Sequence, residues 1–318
     1  MPSPSARRRP PAQHPRRART ARVRRRRALL GLLLAALASG LALLLTGGSA
    51  GRRHGAEAHA ASSRAGVSGA SGAASARTAN TGAGYPETAE VRRLIALGHP
   101  IYCAPRRGNE VALTFDDGPG TYTRLMIDKL RKHHVEATFF IVGRNIPLLP
   151  GATRQERALG AVGDHTFTHP LLTELPEVEA ETQISHTQHD LEAASGGPVF
   201  LFRPPYGGRS PAIDSIARRH GLLEILWDVD SADSLGASYA QIEHTVIGGL
   251  QPGSIILMHE NHGQTVRAML AIFAALQRKH LRPVSVPQLL TDDPPSTAQV
   301  LAGGSGCGLG STAKLGGS

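Results

Sequence analysis

Residues 111–119, Val-Ala-Leu-Thr-Phe-Asp-Asp-Gly-Pro, indicate the fold class. The first five are apolar or β-favouring, as in a buried strand, and the last four are typical of a turn. Residues 121–133 follow with the apolar spacing of an amphipathic helix. A strand, a turn and a helix in this order form the βα unit from which parallel sheets are built.

The same alternation continues along the chain. Further strands are predicted at 137–142, 161–163, 200–202, 222–227, 255–258 and 283–286. Helices are predicted at 176–194, 211–220 and 265–280. About seven parallel strands in about 180 residues predict an α/β fold, a distorted and incomplete (β/α) barrel. An open doubly wound sheet is less favoured, because the glycine fingerprint of a dinucleotide site is absent.

Polar residues cluster directly after the predicted strands, and the carboxyl ends of barrel strands meet at one mouth. Each cluster alone has an ordinary explanation. An Asp-Asp-Gly-Pro run is typical of a turn, a His-x-x-x-His pair can be chance spacing, and a lone histidine after a strand is often a core residue. Their common placement favours one site instead. The five clusters begin at Asp116, His165, Arg203, Asp228 and His259.

Five motifs lie in these clusters. They are Thr-Phe-Asp-Asp-Gly-Pro (114–119), His-Thr-Phe-Thr-His (165–169), Arg-Pro-Pro-Tyr (203–206), Asp-Ser-Ala-Asp-Ser (230–234) and Leu-Met-His (257–259). They resemble the motifs of the polysaccharide deacetylase family, the carbohydrate esterases of family 4 with a NodB homology domain. The resemblance covers nearly all of 109–290, in order, and includes the stretch 137–143. It implies a barrel of seven strands and a hydrolase that removes acetyl groups from a polysaccharide.

The resemblance implies a metal site formed by Asp117, His165 and His169. Two histidines and one carboxylate suit a catalytic zinc ion, and cobalt or another divalent ion would also be accepted. Asp116 corresponds to the general base, which takes a proton from the attacking water. Arg203 would orient Asp116 and keep it ionised.

The resemblance also implies the acid and the substrate contacts. His259 corresponds to the general acid that protonates the departing sugar amine, and Asp233 would orient it and raise its basicity. The backbone N–H of Tyr206 would stabilise negative charge on the acetyl oxygen. Pro205 and Leu257, in the third and fifth motifs, are assigned with Tyr206 to substrate binding.

The fourth motif departs from the family at its last position, where Ser234 replaces the usual tryptophan. That tryptophan would wall the acetyl pocket, so substrate range and rate depend on this position. Asp164, where the family often has asparagine, is a milder departure. The expected function is removal of N-acetyl groups from N-acetylglucosamine units of peptidoglycan or a chitin-like polymer. The alternatives are ester hydrolysis on acetylated xylan and a non-catalytic glycan-binding surface protein.

The N-terminal part of the chain has the composition of an export signal. Residues 1–27 contain eleven arginines and no acidic residue, and 28–46 form an almost unbroken apolar run. This run is long for a signal peptide and just long enough to span a bilayer, so cleavage and retention as a membrane anchor both stay open. In either case, we expect a cytoplasmic leader and an extracellular or cell-envelope domain.

The net charge of +10 comes from this leader, since 24 basic residues, the 35 of the chain less these eleven, balance 25 acidic ones. No basic surface with aromatic readers follows, which argues against nucleic-acid binding. Residues 47–107 are predicted to be a flexible linker and lead-in, 108–291 the catalytic domain, and 292–318 a disordered tail. Cys103 and Cys307 could form a disulfide outside the cytoplasm or remain free thiols.

Overall fold

The computed structural model describes residues 87–307. The basic leader 1–27, the apolar run 28–46, the linker up to residue 86 and residues 308–318 lie outside the described residues. Within 87–307, no helix is both long and apolar enough to cross a membrane.

A curled sheet of parallel strands forms the centre of the domain. Its strands are β1 (Glu110–Gly118), β2 (Ala137–Ile141), β3 (Gly160–Asp164), β4 (Leu201–Phe202), β5 (Leu223–Glu224), β6 (Val229–Asp230), β7 (Ile255–His259) and β8 (Arg282–Pro283). Seven of them are hydrogen-bonded in the order β5-β4-β3-β2-β1-β7-β6, and β8 pairs with the start of β1. The predicted α/β fold with an incomplete barrel of about seven parallel strands is confirmed.

Helices lie between these strands, before the first and after the last. They are α1 (Ala89–Leu97), α2 (Thr123–His133), α3 (Ala152–Ala158), α4 (Glu177–Ser195), α5 (Pro211–Arg219), α6 (Tyr239–Gly249), α7 (Gly263–Arg278), α8 (Val286–Asp292) and α9 (Thr297–Ala302). The four predicted helices correspond to α2, α4, α5 and α7. The strand predicted at 283–286 ends at Pro283, because the Ser285 side chain caps the N-terminus of α8.

Side chains alternate between two apolar layers on the faces of the sheet. On β1, Leu113 and Phe115 pack in the layer that includes α2 and α7, whereas Ala112 packs in the inner layer with α1 and α8. Strand side chains alternate with a period of two, so Asp116 continues the inner series of β1. His259 continues the corresponding inner series of β7. The alternation therefore directs both polar side chains to the inner face.

The segments on either side of the barrel are part of the fold. Leu94 on α1 is fully buried. Cys103 and Cys307 form a disulfide with a Cα–Cα distance of 5.9 Å, which settles the alternatives left open by the sequence. Val300 on α9 and Cys307 are buried against the inner layer. The prediction of a disordered tail at 292–318 is therefore wrong for 292–307, because Asp292 belongs to α8 and the residues after it bury apolar side chains and are covalently tied to the lead-in.

Candidate metal and acid–base site

Two candidate residues lie side by side on β1 and β7. The parallel register pairs Asp116 with His259, at the carboxyl ends of both strands. A bulge follows at Asp117, where φ is +71° and the register with β2 shifts. In a regular strand Asp117 would point to the face opposite Asp116, so the bulge re-aims its carboxylate.

Asp117, His165 and His169 form a cluster that we name the metal side. Their ligand atoms all lie within 4.8 Å of one another. Asp117 Oδ1 is 3.7 Å from His165 Nε2 and 3.3 Å from His169 Nε2. The two Nε2 atoms are 3.2 Å apart. The structure therefore brings together the three residues that the sequence predicted as ligands.

The protonation of these groups fits a metal ion. His165 Nδ1 lies 2.7 Å from the carbonyl oxygen of Arg203, which can only accept, so Nδ1 carries the proton and Nε2 keeps its lone pair. His169 Nδ1 is 3.2 Å from the Tyr206 hydroxyl. Burial, and then the neighbouring His169, lower the pKa of His165 to about 3. Asp117 Oδ1 is buried without a hydrogen-bond partner. The free lone pair of His165 Nε2, the neighbouring His169 Nε2 and an unpaired carboxylate oxygen make up the donor set of a divalent cation.

The guanidinium of Arg203 is fully buried beside Asp116. Its Nη1 donates to Asp116 Oδ1 at 2.7 Å and to Thr114 Oγ1 at 2.8 Å. Nε and Nη2 donate to the backbone carbonyls of Ile225 and Leu226, at 3.0 and 3.2 Å. This network holds the carboxylate in one orientation and compensates the buried charges.

Burial raises the pKa of Asp116 above its ordinary value, and the charge of Arg203 opposes this shift without cancelling it. A carboxylate with a raised pKa is a stronger base. Its Oδ2 lies 3.6 Å from His165 Nε2 and so borders the metal side. Asp116 is thus placed to accept a proton from a molecule bound there.

Asp233 and His259 form a pair that we name the acid side. Asp233 Oδ1 accepts from His259 Nδ1 at 2.6 Å, and Oδ2 accepts from the His259 backbone N–H at 2.7 Å. Burial lowers the pKa of His259, but the hydrogen bond and charge of Asp233 outweigh burial and raise it to about 9. For Asp233 the directions are reversed: burial raises its pKa, but the hydrogen bonds with His259 lower it to about 2. His259 is therefore protonated at neutral pH and can donate a proton.

The candidate substrate residues differ in exposure. The Tyr206 side chain is 57% exposed, whereas Pro205 and Leu257 are buried. Ser234 is exposed, and Leu235 beside it is 83% exposed. The position that carries tryptophan in the family therefore opens to solvent in this protein.

Left-handed backbone conformations concentrate in the loops of the site. Residues with a side chain rarely adopt positive φ, and such strain tends to occur at functional sites. Five of the eight non-glycine residues with positive φ within 87–307 lie in the motif loops. They are Asp117, Thr166, His169, Tyr206 and Ala232.

Asp164 is the last residue of β3, directly before the loop that carries the two histidines, and it is fully buried. Its Oδ1 accepts the Thr166 backbone N–H at 2.7 Å. Burial raises the pKa of Asp164 well above its ordinary value. A protonated carboxyl at this position resembles the neutral amide that the family often has there.

Three side chains that the sequence analysis missed support the site. Thr114 supports the buried guanidinium described above, Asn261 Nδ2 donates to Asp117 Oδ2 at 3.3 Å, and Thr265 Oγ1 lies 2.5 Å from Asp233 Oδ2. Thr114 lies inside the first motif, two residues before Asp116, and so on the same face of the strand. This shared face could have identified it from the sequence. The other two follow the last motif without a spacing that would mark them.

Comparisons with known proteins agree on one family. The family model for polysaccharide deacetylase matches residues 104–225. A peptidoglycan-N-acetylglucosamine deacetylase of Bacillus cereus is 35% identical over 194 residues, which cover 59% of this chain and 70% of that protein. A bifunctional xylanase/xylan deacetylase of Cellvibrio japonicus is 34% identical over 175 residues, which cover 54% of this chain and 26% of that protein.

A solved structure has the same fold. It is a family 4 carbohydrate esterase from Streptomyces lividans in complex with acetate, which aligns with a TM-score of 0.54 and 37% identity. The alignment covers 57% of this chain and 95% of that one. The two curated relatives are named for different polymers, peptidoglycan and xylan.

Proposed function

The chain belongs to the polysaccharide deacetylase family, and on this basis we propose that it removes N-acetyl groups from N-acetylglucosamine units of peptidoglycan. One observation supports this function above the others: the metal side borders Asp116, and Asp116 is paired in register with His259. Amide hydrolysis needs an activated water and a proton donor for the leaving amine, and these groups could supply both. The Bacillus cereus relative supports the choice of peptidoglycan.

We propose that the metal side holds a divalent ion through Asp117 Oδ1 and the Nε2 atoms of His165 and His169. Three protein ligands with an open position are typical of catalytic zinc, and we propose zinc as the native ion. Cobalt or another divalent ion would fit the same donors. When bound, the ion would polarise the acetyl carbonyl and lower the pKa of water to about 7.

The proposed reaction adds water across the C–N bond. Asp116, held by Arg203, takes a proton from the water as its oxygen attacks the acetyl carbon. The backbone N–H of Tyr206 donates to the acetyl oxygen as negative charge develops there. His259 gives its Nε2 proton to the nitrogen as the C–N bond breaks, and acetic acid and the sugar amine leave. Asp116 then loses its proton to solvent and His259 regains one.

Ester hydrolysis on acetylated xylan is a second candidate. Ser234 and Leu235 are exposed. At position 234, the cleft therefore lacks the tryptophan side chain that the family has there. An alcohol leaving group also needs less protonation than an amine. The Cellvibrio japonicus relative, named in part as a xylan deacetylase, supports this alternative.

Acetate release separates these functions. Metal-loaded protein would be incubated with peptidoglycan, N-acetylglucosamine oligomers and acetylxylan, each with and without a chelator, beside the Asp116→Asn variant. We expect chelator-sensitive release from the N-acetylated substrates. Release from acetylxylan alone would favour the esterase. No release from any substrate, together with retention on insoluble peptidoglycan, would leave a non-catalytic glycan-binding protein.

We also propose that the chain is exported and that the barrel lies outside the cytoplasm. The arginine-rich residues 1–27, followed by the apolar run 28–46, support this. Cell fractionation checks it, because a protein found mainly in the soluble cytoplasmic fraction would refute export. N-terminal sequencing of the mature protein then distinguishes cleavage after the apolar run from retention as an anchor.

A further inference from the structure

Thr265 lies in the first turn of α7 and is fully buried. It belongs to none of the five motifs. Its Oγ1 is 2.5 Å from Asp233 Oδ2. A carboxylate oxygen can only accept, so the hydroxyl donates this hydrogen bond. A buried donor is thus aimed at the residue that holds the candidate acid.

The carboxylate of Asp233 accepts four hydrogen bonds, two on each oxygen. Oδ1 accepts from His259 Nδ1 at 2.6 Å and from the Ser234 backbone N–H at 2.9 Å. Oδ2 accepts from the His259 backbone N–H at 2.7 Å and from Thr265. The donors come from three segments: β7, the loop after β6, and α7. Among the described residues, two side chains donate to the Asp233 carboxylate, those of His259 and Thr265.

This arrangement fixes the plane of the carboxylate. If Oδ2 lost a donor, the Asp233 carboxylate would have greater freedom to rotate about χ2, and Oδ1 would move away from His259 Nδ1. The imidazole could then turn its Nε2 away from the productive direction, and small misplacements of a proton donor are costly. Ser234 is exposed in a single 3-10 turn (Asp233–Leu235), whereas Thr265 is anchored in a 16-residue helix. The Thr265 hydroxyl is therefore held more rigidly than the Ser234 backbone N–H.

We propose that Thr265 is a positioning residue for His259 and acts through Asp233. Its hydroxyl fixes the carboxylate, and the carboxylate fixes the imidazole that delivers the proton. The effect on turnover rests on the proposed deacetylase function, whereas the hydrogen-bond chain exists without substrate. The role needs the hydroxyl donor and does not need the methyl group.

Two substitutions separate donor from shape. Thr265→Val keeps the volume and removes the donor, whereas Thr265→Ser keeps the donor and removes the methyl group. We expect Thr265→Val to lower kcat on N-acetylglucosamine oligomers about tenfold with KM nearly unchanged, since a bond to a charged group is lost. The loss on an aryl acetate should be smaller, because that leaving group needs little protonation. Thr265→Ser should stay close to wild type.

Thr153→Val is the matched control. Thr153 is also a buried helical threonine, on α3, but its hydroxyl has no hydrogen-bond partner. Removing it deletes no hydrogen bond, so kcat on both substrates should not change. A general effect of burying a valine in place of a threonine would appear in both variants, and an effect of the lost donor only in Thr265→Val.

A substrate-free measurement is the His259 Nδ1–H resonance in proton NMR spectra of the full-length protein with labelled histidine. We expect a downfield, slowly exchanging signal in wild type, Thr265→Ser and Thr153→Val, and a broadened or missing signal in Thr265→Val. If wild type releases no acetate but this pattern holds, the deacetylase function fails and the positioning role stands.

Two results would overturn the positioning role. One is a Thr265→Val protein that keeps both the resonance and amide turnover at the wild-type level. The other is a Thr265→Ser protein that loses as much as Thr265→Val, since the methyl group rather than the hydroxyl would then matter. If Thr265→Val does not fold, Thr265→Ala against Thr265→Ser decides the same question.

Discussion

The two sides of the cleft differ in how far their own residues satisfy them. On the acid side, both oxygens of the Asp233 carboxylate are fully hydrogen-bonded, and the imidazole is fixed by that carboxylate. On the metal side, a buried carboxylate oxygen has no partner, and two imidazole nitrogens face each other at 3.2 Å. Unpaired buried polar groups cost free energy. The metal side is therefore expected to bind a ligand, whereas the hydrogen bonds of the acid side are already made within the protein.

Because of this difference, we expect the two sides to respond separately to substitutions. Removing a metal-side ligand should affect what the protein binds, because the proposed mechanism places an added ion there. Removing an acid-side group should affect proton delivery and leave ion binding intact.

The largest effect is expected from Asp117→Ala, with His165→Ala as a second lesion. Either change removes one of three ligands, so metal binding and turnover should both be abolished. In wild type, an ion at a hundred times its Kd stabilises the fold by about 2.7 kcal/mol, and this rise in Tm should vanish in the variants. Metal content after dialysis, Tm with and without zinc, and acetate release check this prediction.

Asp128→Ala is the control for this experiment, because Asp128 is an exposed carboxylate on α2, outside the cleft. It should keep both the Tm shift and turnover. Full activity of wild type after exhaustive chelation would contradict the metal-dependent mechanism. An unchanged Tm shift in Asp117→Ala would show that added zinc binds elsewhere.

A large but selective effect is expected from His259→Ala. An amide nitrogen must be protonated as it leaves, whereas a phenolate of pKa about 7 to 10 leaves with little help. Turnover of N-acetylglucosamine oligomers should therefore fall on the order of a hundredfold or more, and aryl acetate hydrolysis much less. The metal-induced Tm shift should persist, which distinguishes this lesion from those on the metal side.

The comparison uses the ratio of variant to wild type for each substrate. His244→Ala, which removes an exposed histidine on α6, is the control and should change neither ratio. Asp116→Asn should lower both reactions, since the base serves both. Equal losses on amide and ester in His259→Ala would remove this residue from the acid role.

A change in pH dependence is expected from Asp233→Asn. In wild type, the pKa of His259 is raised from 6.5 to about 9, so its acid form should be lost as pH rises through about 9, and amide turnover should fall there. Without the carboxylate, burial still lowers the pKa of His259 and only the charges of Asp116 and Asp117 oppose it, so this pKa should fall. The alkaline limb of the kcat profile should then move to lower pH, and an unmoved limb would assign it to another group.

The same substitution has a signature in stability. A raised histidine pKa contributes stability that is complete below pH 6.5 and is lost as pH rises to about 9. The difference of about 2.5 pKa units corresponds to on the order of 3 kcal/mol. The low pKa of Asp233 reflects the same ion pair and is not added to this. Urea unfolding at pH 6 and pH 9.5 should show this loss in wild type and a smaller one in Asp233→Asn.

Sequence patterns predicted the parts of the fold and the site that depend on local order. Each motif residue follows an apolar run, so parallel strands alone suffice to bring Asp116 and His259 to one edge. The bulge at Asp117 was not predictable, because it depends on a register shift between strands. The contact of Thr265 with Asp233 depends on where α7 packs, which no local spacing encodes.

The C-terminal segment shows a different reason for a missed feature. Residues 292–318 are rich in small and polar residues, which led to the prediction of disorder. A usable signal was present, since Ser296 and Gln299 form a capping box that starts α9. The cross-link at Cys307 lies 204 residues from its partner, so its formation depends on the complete barrel.

The smallest effect on turnover is expected from the double variant Cys103→Ser/Cys307→Ser. The disulfide ties the lead-in to the C-terminal segment and contacts neither side of the cleft through any bond described above. A cross-link over 204 residues restricts the unfolded chain, so its loss should lower the free energy of unfolding by about 2–5 kcal/mol. Because distant lesions act almost independently, kcat and KM on both substrates and the zinc-induced Tm shift should stay within about twofold of wild type. A selective loss of amide turnover, or of zinc binding, would connect the disulfide to one side of the cleft. The two sides could then no longer be treated as separate from the outer frame of the barrel.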